Sequence, residues 1–395
     1  MVRFLGSGRS HAVLAILMIL VAGCAAGRAP AAPAGQARSP RPHPAPTATG
    51  KVKRADFLTG VTCLPTGTCV AVGWYYYGAT GPALTLAMRW NGRAWLAEPA
   101  PSRGHDSQLD DVSCAAAASC LAVGTPAEAW TGTRWSILPN PPAGPLSSVS
   151  CPVPGFCQAT GPPPAGTRPV AARWNGRAWR AERVPRPTPV PQNLTLAAVS
   201  CVTARFCMAV GDASRSAKAM PSPAYRDTTL TERWNGSRWR IIPAPSPAHA
   251  SRLSGVSCPS PTACVAVGSS AGGGRTLAER WNGVRWTVQH TPGIGRTGYS
   301  ALTAVSCATA ANCMAVGTYN AGTSGIAEHW DGSRWTIRRL PVPPGPPGQE
   351  PLVLPASVSC ASATACVTVG SSQGATMAER WNGAAWTIQR TPDPA

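Results

Sequence analysis

The sequence predicts an all-β chain: a seven-bladed β-propeller of four-stranded antiparallel blades, with one disulfide inside each blade. Three observations predict it. The first is seven pairs of cysteines six positions apart: Cys63 with Cys69, Cys114 with Cys120, Cys151 with Cys157, Cys201 with Cys207, Cys258 with Cys264, Cys307 with Cys313 and Cys360 with Cys366. The second is seven pairs of tryptophans five positions apart, one after each cysteine pair: Trp90 with Trp95, Trp130 with Trp135, Trp174 with Trp179, Trp234 with Trp239, Trp281 with Trp286, Trp330 with Trp335 and Trp381 with Trp386. Together they use 14 of the 15 Cys and 14 of the 15 Trp, a register that composition alone cannot produce. The third is that the units recur every 37 to 57 residues and no segment sustains a helical 3.6-residue period. A small sheet with two apolar faces cannot stand alone, and seven copies packed around an axis cover each other.

The copy at residues 252–292 shows how each element arises. Leu253-Ser254-Gly255-Val256-Ser257-Cys258 is a short apolar alternation, strand A. Five turn-forming residues follow, then Cys264-Val265-Ala266-Val267-Gly268, strand B. A Gly/Ser-rich loop leads to Thr276-Leu277-Ala278-Glu279-Arg280-Trp281, strand C. Asn282-Gly283 marks a turn, and Arg285-Trp286-Thr287-Val288-Gln289 is strand D. The cysteine pair straddles the A–B hairpin, so a disulfide would tie A to B. The tryptophan pair straddles the C–D turn. Whether that loop has two or four residues, both indoles fall on one face, opposite or diagonal to each other. A glycine closes the B pattern in all seven copies, from Gly73 to Gly370, where a small residue would fit near the axis and permit a sharp exit. The blades span about 57–100, 108–140, 146–187, 196–246, 252–292, 301–344 and 355–392 within a domain at 53–395.

Residues 1–23 carry Arg3 and Arg9, then an apolar run from Ala12 to Ala22, the pattern of a secretory signal peptide. It ends in Val21-Ala22-Gly23-Cys24, which resembles the bacterial lipobox, and the fifteenth Cys is the one that fills it. The resemblance implies lipidation of Cys24 and anchorage at the outer face of the cell membrane. Residues 24–52, dominated by Ala and Pro, are expected to form a disordered tether. Paired cysteines at fixed spacing agree with an extracytoplasmic address. Zinc is a poor fit, because the spacing is not that of zinc ribbons and His does not recur with Cys. The formal charge of +19 has two readings, Arg-rich coding bias or affinity for anionic envelope polymers and lipid headgroups. The arginines are not interleaved with stacking aromatics, so nucleic acid is not an expected partner.

The order of signals is similar to kelch-type blades, the architecture of galactose-oxidase-like propellers. More specifically, V-S-C, C-x-A-V-G and E-R-W-N-G-x-x-W units resemble those of a group of secreted actinobacterial repeat proteins. The resemblance covers residues 57–392 and implies the fold, while leaving activity open. Blades 1, 2 and 3 depart most, with Thr131-Gly132 for Asn-Gly in blade 2 and Gln158-Ala159-Thr160 in strand B of blade 3.

No catalytic motif stands out. Glu128, Glu232, Glu279, Glu328 and Glu379 share one slot, two before the first Trp. A residue repeated at one structural position reads as structural, accepting hydrogen bonds from a backbone or from Arg of the neighbouring blade. Sialidase Asp-boxes are absent, and His105, His249, His290 and His329 are scattered, so no metal site or cofactor is expected. A binding module is therefore the leading reading. The alternative is an extracytoplasmic hydrolase or lyase at the channel mouth, which converging acidic or His side chains there would favour.

The A–B and C–D turns keep their lengths while the B–C loops vary, and variable loops on a rigid scaffold are where binding resides. Two loops are rich: Trp74, Tyr75, Tyr76 and Tyr77 in blade 1, and Arg215, Lys218, Tyr225 and Arg226 in a blade 4 loop running from Asp212 to Thr231. Aromatics beside basic groups suit a glycan or a protein ligand. They equally suit packing over the blade 1 rim. The protein is expected to be a monomer.

Overall fold

The computed structural model describes residues 54–78, 81–104, 106–163, 169–216, 225–294, 298–343 and 352–392. The signal, lipidation and tether expectations, Cys24 included, lie outside the described residues. The described chain forms seven four-stranded sheets, each with its strands in chain order, so every blade is built from one continuous segment. In chain order, β1 to β4 are Arg54–Cys63, Cys69–Tyr77, Leu84–Trp90 and Trp95–Glu98; β5 to β8 are Gln108–Ala116, Ser119–Thr125, Glu128–Trp130 and Trp135–Ile137. Next, β9 to β12 are Ser148–Val153, Phe156–Gly161, Val170–Trp174 and Trp179–Ala181, and β13 to β16 are Asn193–Thr203, Phe206–Ser216, Tyr225–Trp234 and Trp239–Ile242. Then β17 to β20 are Arg252–Ser260, Ala263–Ser270, Arg275–Trp281 and Trp286–Gln289, and β21 to β24 are Ala301–Thr309, Asn312–Tyr319, Ser324–Trp330 and Trp335–Arg338. The last blade, β25 to β28, is Leu354–Ser362, Ala365–Ser372, Ala375–Trp381 and Trp386–Gln389.

All seven cysteine pairs are disulfide-bonded within their own blades, with Cα atoms 3.9 to 4.1 Å apart. Cys63 bonds to Cys69, Cys114 to Cys120, Cys151 to Cys157 and Cys201 to Cys207. Cys258 bonds to Cys264, Cys307 to Cys313 and Cys360 to Cys366. The C–D loop has four residues, so each tryptophan pair is directly opposite, with ring centroids 5.4 to 5.9 Å apart.

Strand register then joins the two signals. The second cysteine of each pair lies opposite the first tryptophan of its blade: Cys69 faces Trp90, Cys120 faces Trp130, Cys157 faces Trp174 and Cys207 faces Trp234. Likewise Cys264 faces Trp281, Cys313 faces Trp330 and Cys366 faces Trp381. All seven of these cysteines are buried, so they are core residues and take no part in a ligand surface. One row of disulfide and indoles thus crosses the sheet from innermost to outermost strand.

That row lies on the face turned to the preceding blade. The Cys/Trp face of blade 2 packs on Val70, Val72 and Ala87 of blade 1. The same relation repeats around the ring and closes it, because the Cys/Trp face of blade 1 packs on Val367, Val369 and Ala378 of blade 7. Among the described residues no strand is shared between blades in doing so.

The innermost strands are joined by hydroxyls. The Ser of each V-S-C motif accepts the backbone N–H of the next blade's first Cys: Ser113 from Cys151, Ser150 from Cys201, Ser200 from Cys258, Ser257 from Cys307 and Ser306 from Cys360, at 2.9 to 3.0 Å. Ser359 accepts from Cys63 at 2.8 Å and so ties blade 7 to blade 1. Strand A is a sheet edge, and these bonds satisfy donors it would otherwise leave open.

The strand B glycines have a different cause from the one the sequence suggests. They lie within strand B in blades 1, 2, 4, 5, 6 and 7, since the strand continues beyond them, as β2 does from Gly73 to Tyr77. Each faces a bulge in strand A. A Cβ on Gly268 would stand 1.9 Å from the Arg252 carbonyl oxygen, and one on Gly73 1.9 Å from that of Phe57. The glycines forced by crowding between innermost strands are instead Gly60, against Asp111, and Gly255, against Ala304.

Candidate functional site

Strand B of blade 1 carries the aromatic cluster, and it is strand rather than loop. Alternation along β2 splits it between two faces. Trp74 and Tyr76 continue the face of Val70 and Val72, towards blade 2. Tyr75 and Tyr77 continue the face of Cys69.

On the first face Phe57 of β1 pairs with Trp74, and their rings stack with centroids 4.4 Å apart and planes 23° apart. Tyr76 extends the stack, 5.6 Å from Trp74 and 6.1 Å from Phe57. All three side chains are partly buried. Blade 2 is the reason they are not covered further. Its strand B ends at Thr125, one residue past its glycine, whereas β2 runs four residues past Gly73.

On the second face the Arg54 guanidinium lies 3.9 Å above Tyr75 and 5.5 Å from Tyr77, and it pairs with Asp56 at 2.5 Å. Tyr77 is the exposed member.

The blade 4 residues fall on a hairpin. β14 runs to Ser216 and β15 starts at Tyr225, with Arg215 facing Arg226 and Ser216 facing Tyr225. The loop expected from Asp212 to Thr231 is therefore mostly sheet, because Thr228 to Thr231 pair with Asp212, Ala213 and the preceding residues. Lys218 lies outside the described residues. Below the tip, Asp227 is buried, accepts from Ser214 and pairs with Arg252 of blade 5 at 2.5 Å. Blades 2 and 3 stand between the blade 1 cluster and this hairpin, so the structure does not bring the two groups together.

The seven A strands surround a central cavity of about 360 Å³ with a polar lining. Two acidic residues line it, Asp110 and Asp111, both from β5, a juxtaposition the sequence analysis missed because neighbouring residues of a strand ordinarily point apart. The bulge between Leu109 and Asp111 breaks that alternation. Asp111 accepts from the Val149 and Ser148 donors of blade 3, at 2.9 and 3.2 Å, and from its own neighbour Val112 at 2.8 Å. Burial pushes Asp110 up to about 7, with the Asp111 charge adding to it, and pushes Asp111 to about 6 against its hydrogen bonds. Among the described residues, no three His, Cys, Asp or Glu side chains come together as a metal site would require.

The repeated glutamates do not make the contacts expected of them. All five are fully buried on the Cys/Trp face, and none of their carboxyl oxygens has a hydrogen-bond partner in the protein. Thr85 approaches Glu128 and Thr276 approaches Glu328, lowering each carboxyl slightly without reaching hydrogen-bond geometry. Desolvation dominates and pushes Glu128, Glu232, Glu279 and Glu379 to about 8 and Glu328 to about 7. The arginine beside the slot serves the indoles instead. Arg173, Arg280 and Arg380 each lie 5.9 Å over the first Trp of the next blade. In blade 6, His329 fills that place, 6.3 Å from Trp381, with its pKa lowered by burial and Arg338.

No protein-family model and no curated protein sequence matches the chain. Among solved structures the chain is similar to YCF48 from Cyanidioschyzon merolae, at 14% identity over 86% of this chain and 97% of that one, with a TM-score of 0.52. It is similar to Sqt1 of Chaetomium thermophilum, at 11% identity over 86% and 87%, TM-score 0.51, and to the WD40 repeats of RRP9, at 9% identity over 81% and 90%, TM-score 0.50. At these identities the likeness is one of fold: a β-propeller. Seven disulfides further indicate an oxidising compartment. No helix among the described residues is long and apolar enough to cross a membrane.

Proposed function

We propose that this chain is a non-catalytic binding module at the outer face of the cell membrane, with its ligand seated on the B–C rim beside blade 1. The observation that carries the reading is the half-covered stack of Phe57, Trp74 and Tyr76, left open where the B–C hairpin of blade 2 is short. Near-parallel rings offer a flat π-face to a sugar ring or to a flat side chain, so an envelope glycan or protein is the ligand class. The address rests on the disulfides and on Cys24 as a lipidated N-terminus. Replacing Cys24 by Ser is expected to move the protein from the membrane fraction to the medium or to block its processing. A variant that stays membrane-bound at the normal mature mass would remove the anchor from this reading.

The binding test is a titration of muropeptide and wall-polymer fragments followed by tryptophan fluorescence. Trp74→Ala with Tyr76→Ala is expected to weaken binding by about 2 kcal/mol. Melting should fall only by what one aromatic stack contributes, about 0.5–1.5 kcal/mol. Trp281→Ala, which removes a buried indole, is expected to lose about 3–5 kcal/mol of stability. If the Trp74 variant melts as early as the Trp281 variant and loses binding only by unfolding, the rim is packing and the site does not exist. A second reading is favoured by Asp110 and Asp111, a carboxyl pair in the channel suited to proton transfer in a hydrolase or lyase. Recovery of the fragments unchanged supports the binding module. Cleavage that disappears in Asp110→Asn would move the function to the channel.

A further inference from the structure

The rim opposite the aromatic stack is formed by the A–B and C–D turns, and its charge is one-sided. Six of the seven C–D turns carry an arginine: Arg93, Arg134, Arg177, Arg238, Arg285 and Arg334, one per blade from 1 to 6. Blade 7 has Ala384 and Ala385 there. All six are exposed.

The turns mount them rigidly. Arg93, Arg177, Arg238, Arg285 and Arg334 each donate their backbone N–H to the side-chain oxygen of the Asn or Asp that opens the turn, at 2.9 to 3.0 Å. In blades 2 to 7 the C–D turn also lies close to the A–B turn of its own blade, as Gly236 does to Arg205 and Gly283 to Thr262. The guanidinium groups themselves hold nothing in place. Of these six arginines only Arg334 has an ion pair among the described residues, a loose 3.8 Å contact with Asp331. Asp331 is also the one acid in any of these turns, while the A–B turns add Arg205. The other rim mixes signs, with Asp56 and Asp227 paired to Arg54 and Arg252.

We propose that the A–B/C–D rim docks onto the anionic phospholipid headgroups of a membrane, through turn-mounted arginines of blades 1 to 6. The arrangement favours a surface over a strand of polymer. Charges spread around a ring can all meet a plane at once, whereas a linear chain would reach a few of them. Each arginine contributes weakly near an anionic surface, and the contributions multiply when engaged together. Val284 on a C–D turn and Val153, which leads into the A–B turn of blade 3, are exposed on the same rim and placed to enter the headgroup layer. Docked this way, the protein presents its aromatic rim away from the membrane. The inference does not depend on what that rim binds.

The test is co-sedimentation of the full chain carrying Cys24→Ser, which removes the lipid, with phosphatidylcholine vesicles with and without phosphatidylglycerol. Binding is expected only with phosphatidylglycerol and is expected to fall as salt rises. Arg93→Gln, Arg177→Gln and Arg238→Gln together should weaken it at least about tenfold. A control triple, Arg103→Gln, Arg186→Gln and Arg275→Gln on the other rim, changes net charge equally and should leave binding within about twofold. Equal loss in both triples would reduce the effect to net charge and overturn the proposal. So would absence of vesicle binding, or capture of soluble polyphosphate without vesicle binding, which would make the partner a linear polyanion.

Discussion

Glu279 and its four counterparts are the residues most at odds with their surroundings. Each is a carboxyl with no protein partner, fully buried between two blades. Protonation is how such a group avoids a buried charge. Its ordinary value is 4.5 and its folded value is about 8, so between those limits the folded state holds a proton that the unfolded chain has released. Stability is then fully present below pH 4.5 and is lost as pH rises through about 8. Asp110 and Asp111, also raised, act with the same sign. Thermal melts are expected to fall from about pH 5 to about pH 8, and Glu279→Gln to raise stability at the upper end by about 1–3 kcal/mol while changing little at the lower. A variant equally destabilised at both ends would show that the glutamate has a partner when ionised. The slot is legible in the sequence as a repeat. Its chemistry is not, because burial on the inter-blade face follows from how two blades stack.

At the scale of the element, the blade is one row of side chains repeated seven times. The disulfide closes the A–B end of the row and the indoles fill the C–D end, and both belong to the same packed cluster. The row requires register, and register requires the bulge in strand A opposite the strand B glycine. Gly268→Ala is therefore expected to cost several kcal/mol, about 3 or more, since its Cβ would collide with backbone that cannot move without shifting β17. Gly67→Ala is the contrast. It has a positive φ of 87° but nothing within 4 Å, and is expected to cost about 1 kcal/mol. Urea denaturation of the pair checks this, and equal losses would mean that torsion, rather than the bulge, selects glycine.

At the scale of the molecule, the ring closes by the kinds of contact that join other neighbouring blades, and the Cys/Trp-face packing recurs at all seven interfaces. Blade 1 packs on blade 7 through the Cys/Trp face, Ser359 and Ser357 accept the N–H groups of Cys63 and Val61, and Arg380 lies over Trp90. Among the described residues each blade keeps its own four strands across the closure. A circular permutant that opens between β12 and β13 and joins residue 392 to residue 54 is expected to fold with a melting temperature within a few degrees of the parent. A permutant that fails to fold would mean that closure between blades 7 and 1 is weaker than the other interfaces.

The sequence by itself determined the blade count, the disulfide pairing, the order of strands and the tryptophan hairpins. It could do so because Cys63 and Cys69, Trp90 and Trp95, and their copies sit a few residues apart, where a turn decides what meets what. The tertiary structure decided everything that depends on a neighbouring blade. It uncovered the Trp74 stack by shortening blade 2, brought Asp110 and Asp111 into one channel through a bulge, and buried the five glutamates. It also gathered six arginines onto one rim. Those contacts join residues some fifty positions apart, and their geometry is set by the stacking of blades around the axis rather than by any local pattern.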